Sequence, residues 1–537
     1  MTKASKLQTA AGRTTAVREG IPELTNERFF QLIESRLSGL IALGHLFEAR
    51  RDTEIRVTRP LLSMVLSRSA QLEELLDAFG AKNNEQWFTF RELMSAAKTF
   101  ATLGYKLLHI RHSQKTYRLL EINDDFSGDT RDALNFVRDS LREVMLCLVK
   151  HANRLELNHS NNVIEPSVLN EVLPPGRLPD NRQIRHVESA AETVVHICTS
   201  FLELAAQSDL LYLPEQSEET DITQLIPDPI GEESLRQIEY RFHSFQSLYD
   251  TYIWDTDTER MAPSLPILRG HISIIFHLLE TATLLAHFHE RHLASEHPFR
   301  KNLKNGCPIK DEKVLHTLFN FSIRYAGRYL ESARQLCREV LRRFMDPKTI
   351  ELPLPRYRGF HVRPSTLLAR IVHHYGTDVS MKLLNSTYDV GSPLDLFRAN
   401  EAINAVKRRR IADLTAALSL PESLPDDQSP VEYVRSVILR LAEKGTLVIY
   451  EQPLPIDLEH LEELQKQELT TLEFVGEEIR RLLALGKIDL ELDLNAEFTG
   501  DRRVLDDIRC LAENGYGEDR FGNDIPLPIP LSYIKRH

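Results

Sequence analysis

Gly359-Phe360-His361-Val362-Arg363-Pro364-Ser365 is the stretch that decides how the C-terminal part of this chain folds. Pro364 suits a first helical turn, where a missing N–H is tolerated and a fixed φ helps hold the loop. That puts His361 at the cap of a helix beginning at Val362. The apolar residues Leu367, Leu368, Ile371, Val372 and Tyr375 then recur at helical spacing. A phosphoryl group on this imidazole would face free backbone N–H groups and the positive end of the helix dipole. Imidazole is a good nucleophile near neutral pH, its unperturbed pKa being about 6.5. Arg363 adds a planar cationic fork that matches phosphate oxygens. The plainer reading is a surface His beside a helix start.

Outward from this heptad the pattern continues. Residues 349–355 (TIELPLP) read as an edge strand, the place where two prolines do least harm. Residues 378–384 alternate Val379, Met381 and Leu383 against mostly polar neighbours, as a half-buried strand does. Asn385-Ser386 turns the chain into a strand over 387–390. Ser392-Pro393 is a helix start, with a hydroxyl cap and Pro at the first helical position. Residues 445–451 (GTLVIYE) read as a strand, and Asp457 opens another helix. The order is strand, helix, strand, strand, helix, strand, helix.

That order and those residues resemble HPr, the histidine-containing phosphocarrier of the bacterial sugar phosphotransferase system. The match runs ungapped from Gly359 to about Asn400. It resumes at Ala442-Glu443-Lys444-Gly445-Thr446-Leu447-Val448-Ile449 as the fourth strand. The helix from Asp457 fits the last one. The resemblance implies an α+β open-faced sandwich: a four-stranded antiparallel sheet with helices on one face. It implies that His361 is the phosphorylated residue, Arg363 its partner and enzyme I of that system the donor, with an unknown acceptor or regulatory protein downstream. Pro364 would fix the loop. Ser392 falls on the family's regulatory serine, although Ser before Pro is also what a plain N-cap looks like. Val362, Thr366, Leu394 and Phe397 map to the partner-binding patch around the His; ordinary packing is the competing reading. The chain departs from the family by roughly forty additional residues at 398–439. They include Lys407-Arg408-Arg409-Arg410, which reads as a solvated helix face. This segment either covers the His-bearing surface or projects away from it.

The rest is helical. Periodic stretches lie near 26–43, 59–79, 87–121, 128–155, 182–208, 231–252, 265–294 and 311–345, parted by clusters such as Leu173-Pro174-Pro175-Gly176 and Asn305-Gly306-Cys307-Pro308. They predict a mainly α N-terminal array or bundle. The expected organisation is a disordered tail at 1–20 and a helical region at 21–346 with a candidate break near 210–231. An HPr-like domain at 347–486 with its helical insertion 398–439 follows, then a C-terminal extension at 487–537. That extension contains a Pro-rich run (524–530) expected to be extended.

With 537 residues, three or four domains are expected. A net charge of −12 gives no support to nucleic-acid binding. Five cysteines without a close pair argue against a zinc ribbon, a CxxC site or a disulfide scaffold, and a reducing cytoplasm is expected. No run reaches the ~20 apolar residues of a membrane span; 265–285, interrupted by Arg269, His271, His277 and Glu280, reads as a buried core helix. His287, His289 and His292 scatter around a helix axis: His289 and His292 could meet while His287 points elsewhere. A solvent-facing helix end is expected there, not a metal site. No P-loop, Rossmann or hydrolase motif appears, and no cofactor is expected. The leading expectation is a carrier or regulatory protein rather than a self-sufficient enzyme. The alternatives are a non-catalytic scaffold keeping the carrier fold, and an enzymatic helical domain built around a deep polar cleft.

Overall fold

The computed structural model describes residues 24–534 except 50–54, 158–163, 175, 177, 180, 182, 217–221, 295–297, 300–308, 419, 425–427, 444–446 and 468. The expected tail at 1–20, Pro175 and the break at 305–308 lie outside the described residues. Eight long helices build the N-terminal region: α1 (Asn26–Ala49), α2 (Arg59–Ala78), α3 (Glu85–Ser113), α4 (Phe126–Arg154), α5 (Ala190–Ala206), α6 (Glu232–Tyr252), α7 (Leu265–Phe288) and α8 (Arg324–Arg343). Their starts follow from local chemistry. Thr58, Asn84 and Asp125 each accept a backbone N–H at the head of a helix, satisfying donors the helix itself cannot. The pattern at 87–121 ends early, at Ser113; the chain then turns, with Arg118 at φ 51°.

One continuous apolar cluster, from Phe29 to Leu341, joins all eight helices on both sides of residues 210–231. At its centre α7 packs against α3, α6 and α8. Together with the π-helical turn His289–Ala294, α7 is long and apolar enough to cross a membrane, yet most of it is buried inside the protein.

The second region is built on a four-stranded antiparallel sheet in the order β1-β6-β2-β3. Its strands are β1 (Pro347–Pro353), β2 (Ser380–Leu383), β3 (Ser386–Asp389) and β6 (Asn495–Asp501). The proline-bearing β1 is an edge strand, as expected. One face is polar, with Lys382, Glu497 and Thr499 exposed. The other carries Met381, Leu383, Ala496 and Phe498 into a core shared with α9 (Val362–Tyr375), α10 (Pro393–Ala416) and α14 (Arg502–Glu513).

The fourth strand is a correction. Residues 445–451 are expected to supply the fourth strand of this sheet, but the described strand there, β4 (Leu447–Ile449), pairs with β5 (Ile488–Leu490) in a separate two-stranded sheet. The position between β1 and β2 belongs to β6, registered as Thr349↔Thr499 and Ser380↔Thr499. The helix capped by Asp457 (Leu458–Gln465, α12) also lies elsewhere. With α11 (Pro430–Glu443) and α13 (Thr471–Ala484) it builds a third apolar core around Val434, Val475 and Leu490. The inserted segment is therefore larger than 398–439 and runs up to β6. The segment after 487 supplies both β6 and α14 to the sheet domain rather than forming a mere extension.

A buried ion pair ties α10 to β5. Lys407 Nζ on α10 lies 2.7 Å from Asp489 Oδ1, both side chains 5% exposed. Asp489 Oδ2 also accepts the Arg358 N–H at 3.2 Å and the Tyr450 hydroxyl at 3.3 Å. The basic run is thus not uniformly solvated: Lys407 is buried, while Arg408, Arg409 and Arg410 are exposed.

Candidate functional site

His361 is the N-cap of α9, as its sequence setting predicts, with extended backbone (φ −82°, ψ −166°) and its carbonyl accepting the Ser365 N–H at 3.2 Å. Its side chain does not cap the helix. It turns outward and is 25% exposed. Gly359, at φ +66°, makes the approach possible: a Cβ there would sit 2.2 Å from Asn400 Oδ1. The imidazole packs edge-on against Tyr357, whose ring meets Tyr450 of the insertion.

Both ring nitrogens are engaged. Nδ1 lies 3.1 Å from the Gly359 carbonyl and so carries its proton there. Nε2 lies 3.1 Å from Glu518 Oε1. A carboxylate and a bare nitrogen lone pair repel, so that contact is attractive only with a proton between them. With both nitrogens in such contacts, neither is presented openly to an incoming phosphoryl group.

Glu518 comes from the C-terminal segment. It is 6% exposed, and its second oxygen, Oε2, has no partner among the described residues. A tight loop holds it. Glu518 bridges Asp524 in antiparallel fashion, the Asp519 N–H donates to the Asn523 carbonyl, and the Ile525 N–H donates to Gly517. The loop is anchored by the buried Tyr516, whose hydroxyl donates to the Pro353 carbonyl at 2.7 Å. Arg363 faces the same loop. Its Nη1 lies 2.5 Å from Asp524 Oδ1, and its Nε is 3.9 Å from Glu518 Oε1. Gly517, at φ +83°, admits this approach, since a Cβ there would lie 3.3 Å from Arg363 Nε.

The other expected positions fall as follows. Pro364 is buried in the first turn of α9. Ser392 caps α10 by accepting the Asp395 N–H at 3.3 Å, which is the structural role its sequence allows. Val362, Leu394 and Phe397 are exposed apolar residues, and Thr366 donates back to the Val362 carbonyl at 2.7 Å. The segment covering His361 is not 398–439. The insertion reaches the neighbouring Tyr357 and Arg358, and the contact to the imidazole is made by the loop at 515–525.

The histidine tract differs from expectation. His287 pairs with Glu232, the buried His289 with Asp311, and the nearly buried His292 with Glu92. His287 and His292 are neighbours, with ring centroids 5.8 Å apart, because the helix widens to a π-turn at 289–294 and brings residues five apart onto one face. Among the described residues, no group of three His, Cys, Asp or Glu could hold a metal ion.

A polar cavity of about 1000 Å³ adjoins this tract. In its wall Ser95 Oγ lies 3.2 Å from His292 Nε2, and His292 Nδ1 lies 3.1 Å from Glu92 Oε2. This is the order of a nucleophile, a base and an orienting carboxylate. Ser95, however, sits in the interior of α3, where its own N–H is spent on the helix and cannot serve an oxyanion. Glu92 is also shared with Arg91 at 3.1 Å.

No family model matches the chain, and no match was found among curated proteins or among solved structures.

Proposed function

We infer that this protein is an HPr-like phosphocarrier or regulatory protein in which His361 accepts a phosphoryl group and the 515–525 loop controls access to it. The observation that carries the reading is an outward-facing His at the N-cap of α9, beside an arginine. It sits within a strand-helix-strand-strand-helix-strand-helix order once the insertion is set aside. The helix start offers the Val362 and Arg363 N–H groups to an anion, Pro364 offering none. In the closed arrangement Glu518 occupies the space facing Nε2, and a phosphoryl dianion there would meet its carboxylate. Transfer to Nε2 therefore requires the loop to withdraw first. The donor is an enzyme I-like protein of a bacterial phosphotransferase system, the setting the cytoplasm, and the acceptor a protein that reads the exposed patch of Val362, Leu394 and Phe397.

One observation favours a second reading. Arg363 is held by Asp524 and faces Glu518, which suits a docking scaffold that keeps the carrier fold and moves no phosphate. Incubating the full chain with phosphoenolpyruvate and enzyme I, then mapping phosphohistidine by mass spectrometry under non-acidic conditions, separates the two. Label on His361 that disappears in His361→Ala supports the carrier. An unlabelled chain that still binds enzyme I supports the scaffold.

A further inference from the structure

An open cleft of about 990 Å³ lies at the junction between the helical region and the sheet domain. Arg241 of α6, Arg334 and Arg338 of α8 and Arg370 of α9 all line it, together with His374 and Tyr533. Among the described residues a single carboxylate, Asp209, shares the lining. Four guanidinium groups converging on one space repel each other, and proteins ordinarily set carboxylates among them. Here Arg334 has Glu331 at 3.1 Å. The other three do not. Arg338 Nε donates to the His374 carbonyl at 3.3 Å, Arg370 to the Ile534 carbonyl at 2.9 Å, and Arg241 to Gln207 at 3.3 Å. Among the described residues none of these three has a carboxylate within ion-pairing distance, although the charge of Glu331 also acts on Arg338. Neutral acceptors position a guanidinium without cancelling its charge, so the cavity keeps a net positive field.

A second feature points the same way. His374 is 8% exposed, and its Nε2 has no hydrogen-bond partner among the described residues. Burial, with Arg334 and Arg338 nearby, pulls its pKa down to about 3. The ring is therefore neutral at physiological pH, and a buried polar nitrogen left without a partner calls for one. Tyr533 lies over it, ring centroids 4.0 Å apart, and gives the cavity an aromatic wall.

We propose that this cavity is a binding site for a small phosphorylated metabolite, its phosphate held by Arg241, Arg338 and Arg370 and its remainder resting on the His374–Tyr533 wall. The chemistry selects phosphate because guanidinium forks match its oxygens two at a time. The size selects more than a bare ion, since the space is that of a typical small-molecule site. The site lies at the opposite end of α9 from His361 and does not rest on its phosphorylation.

The test is calorimetric titration of the full chain at constant ionic strength with inorganic phosphate, glycerol 3-phosphate and AMP, sulfate and chloride serving as controls. A phosphate ester is expected to saturate one site and bind more tightly than inorganic phosphate or sulfate. Arg338→Gln and Arg241→Gln should each weaken it by roughly tenfold or more, the worth of a charge-assisted hydrogen bond. Arg241 is exposed, and its side chain donates to Gln207 on the surface, so its variant keeps the test clear of misfolding. His361→Ala should still bind the ester saturably, which separates this site from the carrier reading. The His374 ring resonances should shift on saturation. The absence of saturable binding into the millimolar range would overturn the proposal, as would equal affinity for sulfate or unchanged binding by both arginine variants.

Discussion

Replacing Glu518 by Gln removes one negative charge while keeping the size and hydrogen-bonding reach of the side chain. If Glu518 closes the His361 site, this change must favour the phosphorylated form. At about 4 Å and an effective dielectric near 20, one unit charge against another is worth about 4 kcal/mol. The site is open to water on one side, His361 being 25% exposed, and Arg363 offsets part of the field. Allowing for both leaves about 2 kcal/mol, or ~30-fold in the equilibrium. The assay follows the fraction of chain phosphorylated at His361 against phosphoenolpyruvate in the presence of enzyme I, quantified by intact mass at neutral pH. His361→Ala sets the background. Glu518→Gln should reach half-phosphorylation at roughly thirtyfold lower donor potential. If parent and variant agree within about threefold, Glu518 does not gate the site, and the contact to His361 is structural only. If the variant labels less than the parent, the carboxylate helps to orient the imidazole, and the reasoning is reversed.

Three further outcomes follow from the geometry. His374 is neutral in the folded protein, with a pKa pulled down to about 3 by burial and by Arg334 and Arg338, against about 6.5 unfolded. Its contribution is fully present above pH 6.5 and is lost as pH falls towards 3, on the order of 4–5 kcal/mol in all. His374→Phe should therefore flatten the fall of urea-unfolding stability between pH 6.5 and 4, and an equally steep fall would show that other groups dominate. Lys407→Met should cost about 3–5 kcal/mol by stranding the buried Asp489 charge, and Lys407→Met with Asp489→Asn should recover much of it; thermal denaturation of both variants checks this. Gly359→Ala should cost about 1–3 kcal/mol through its positive φ and the clash with Asn400, read as a lower midpoint in chemical denaturation.

The helix at His361 was legible because local chemistry specifies it. Pro364, Leu368, Ile371 and Val372 all fall within one short window, each within four residues of the next. The alternation in β2 and the Ser392-Pro393 cap are equally local. The fourth strand was not legible for the same reason. Residues 445–451 are richer in β-branched side chains than Asn495–Asp501, whose Asn, Gly and Asp read as loop. Only Ala496 and Phe498 in β6 reveal a buried face, and that is a weak signal. Pairing across the large insertion is decided by the core formed with α9, α10 and α14, which no local window contains. Glu518 was missed likewise: nothing near Asn514-Gly515-Tyr516-Gly517 signals that the next carboxylate returns to the imidazole. The histidine tract was misplaced because a π-turn changes the angular spacing on which the reading depended.

The two proposed sites share their structural elements. α9 carries His361 at its start and Arg370 and His374 near its end. Its 14 residues span about 20 Å. The C-terminal segment touches both ends of that helix. Glu518 and Asp524 meet His361 and Arg363, while Tyr533 packs on His374 and donates to Asp507 at 2.5 Å. Arg370 holds the Ile534 carbonyl from the cavity side. An anion that draws Arg370 towards itself competes with that carbonyl and loosens the end of the segment. Phosphorylation of His361 pushes against the same segment at Glu518. If withdrawal of the segment is one event, each ligand favours the state the other needs. By linkage the two effects are then equal in free energy. The measurable consequence is symmetric: a phosphate ester at the junction should raise the equilibrium phosphorylation of His361 by the same factor that phosphorylation raises affinity for the ester. Tyr533→Ala, which frees the segment from the cavity wall, should abolish both factors together. Loss of one factor without the other would show that the two ends of α9 move independently.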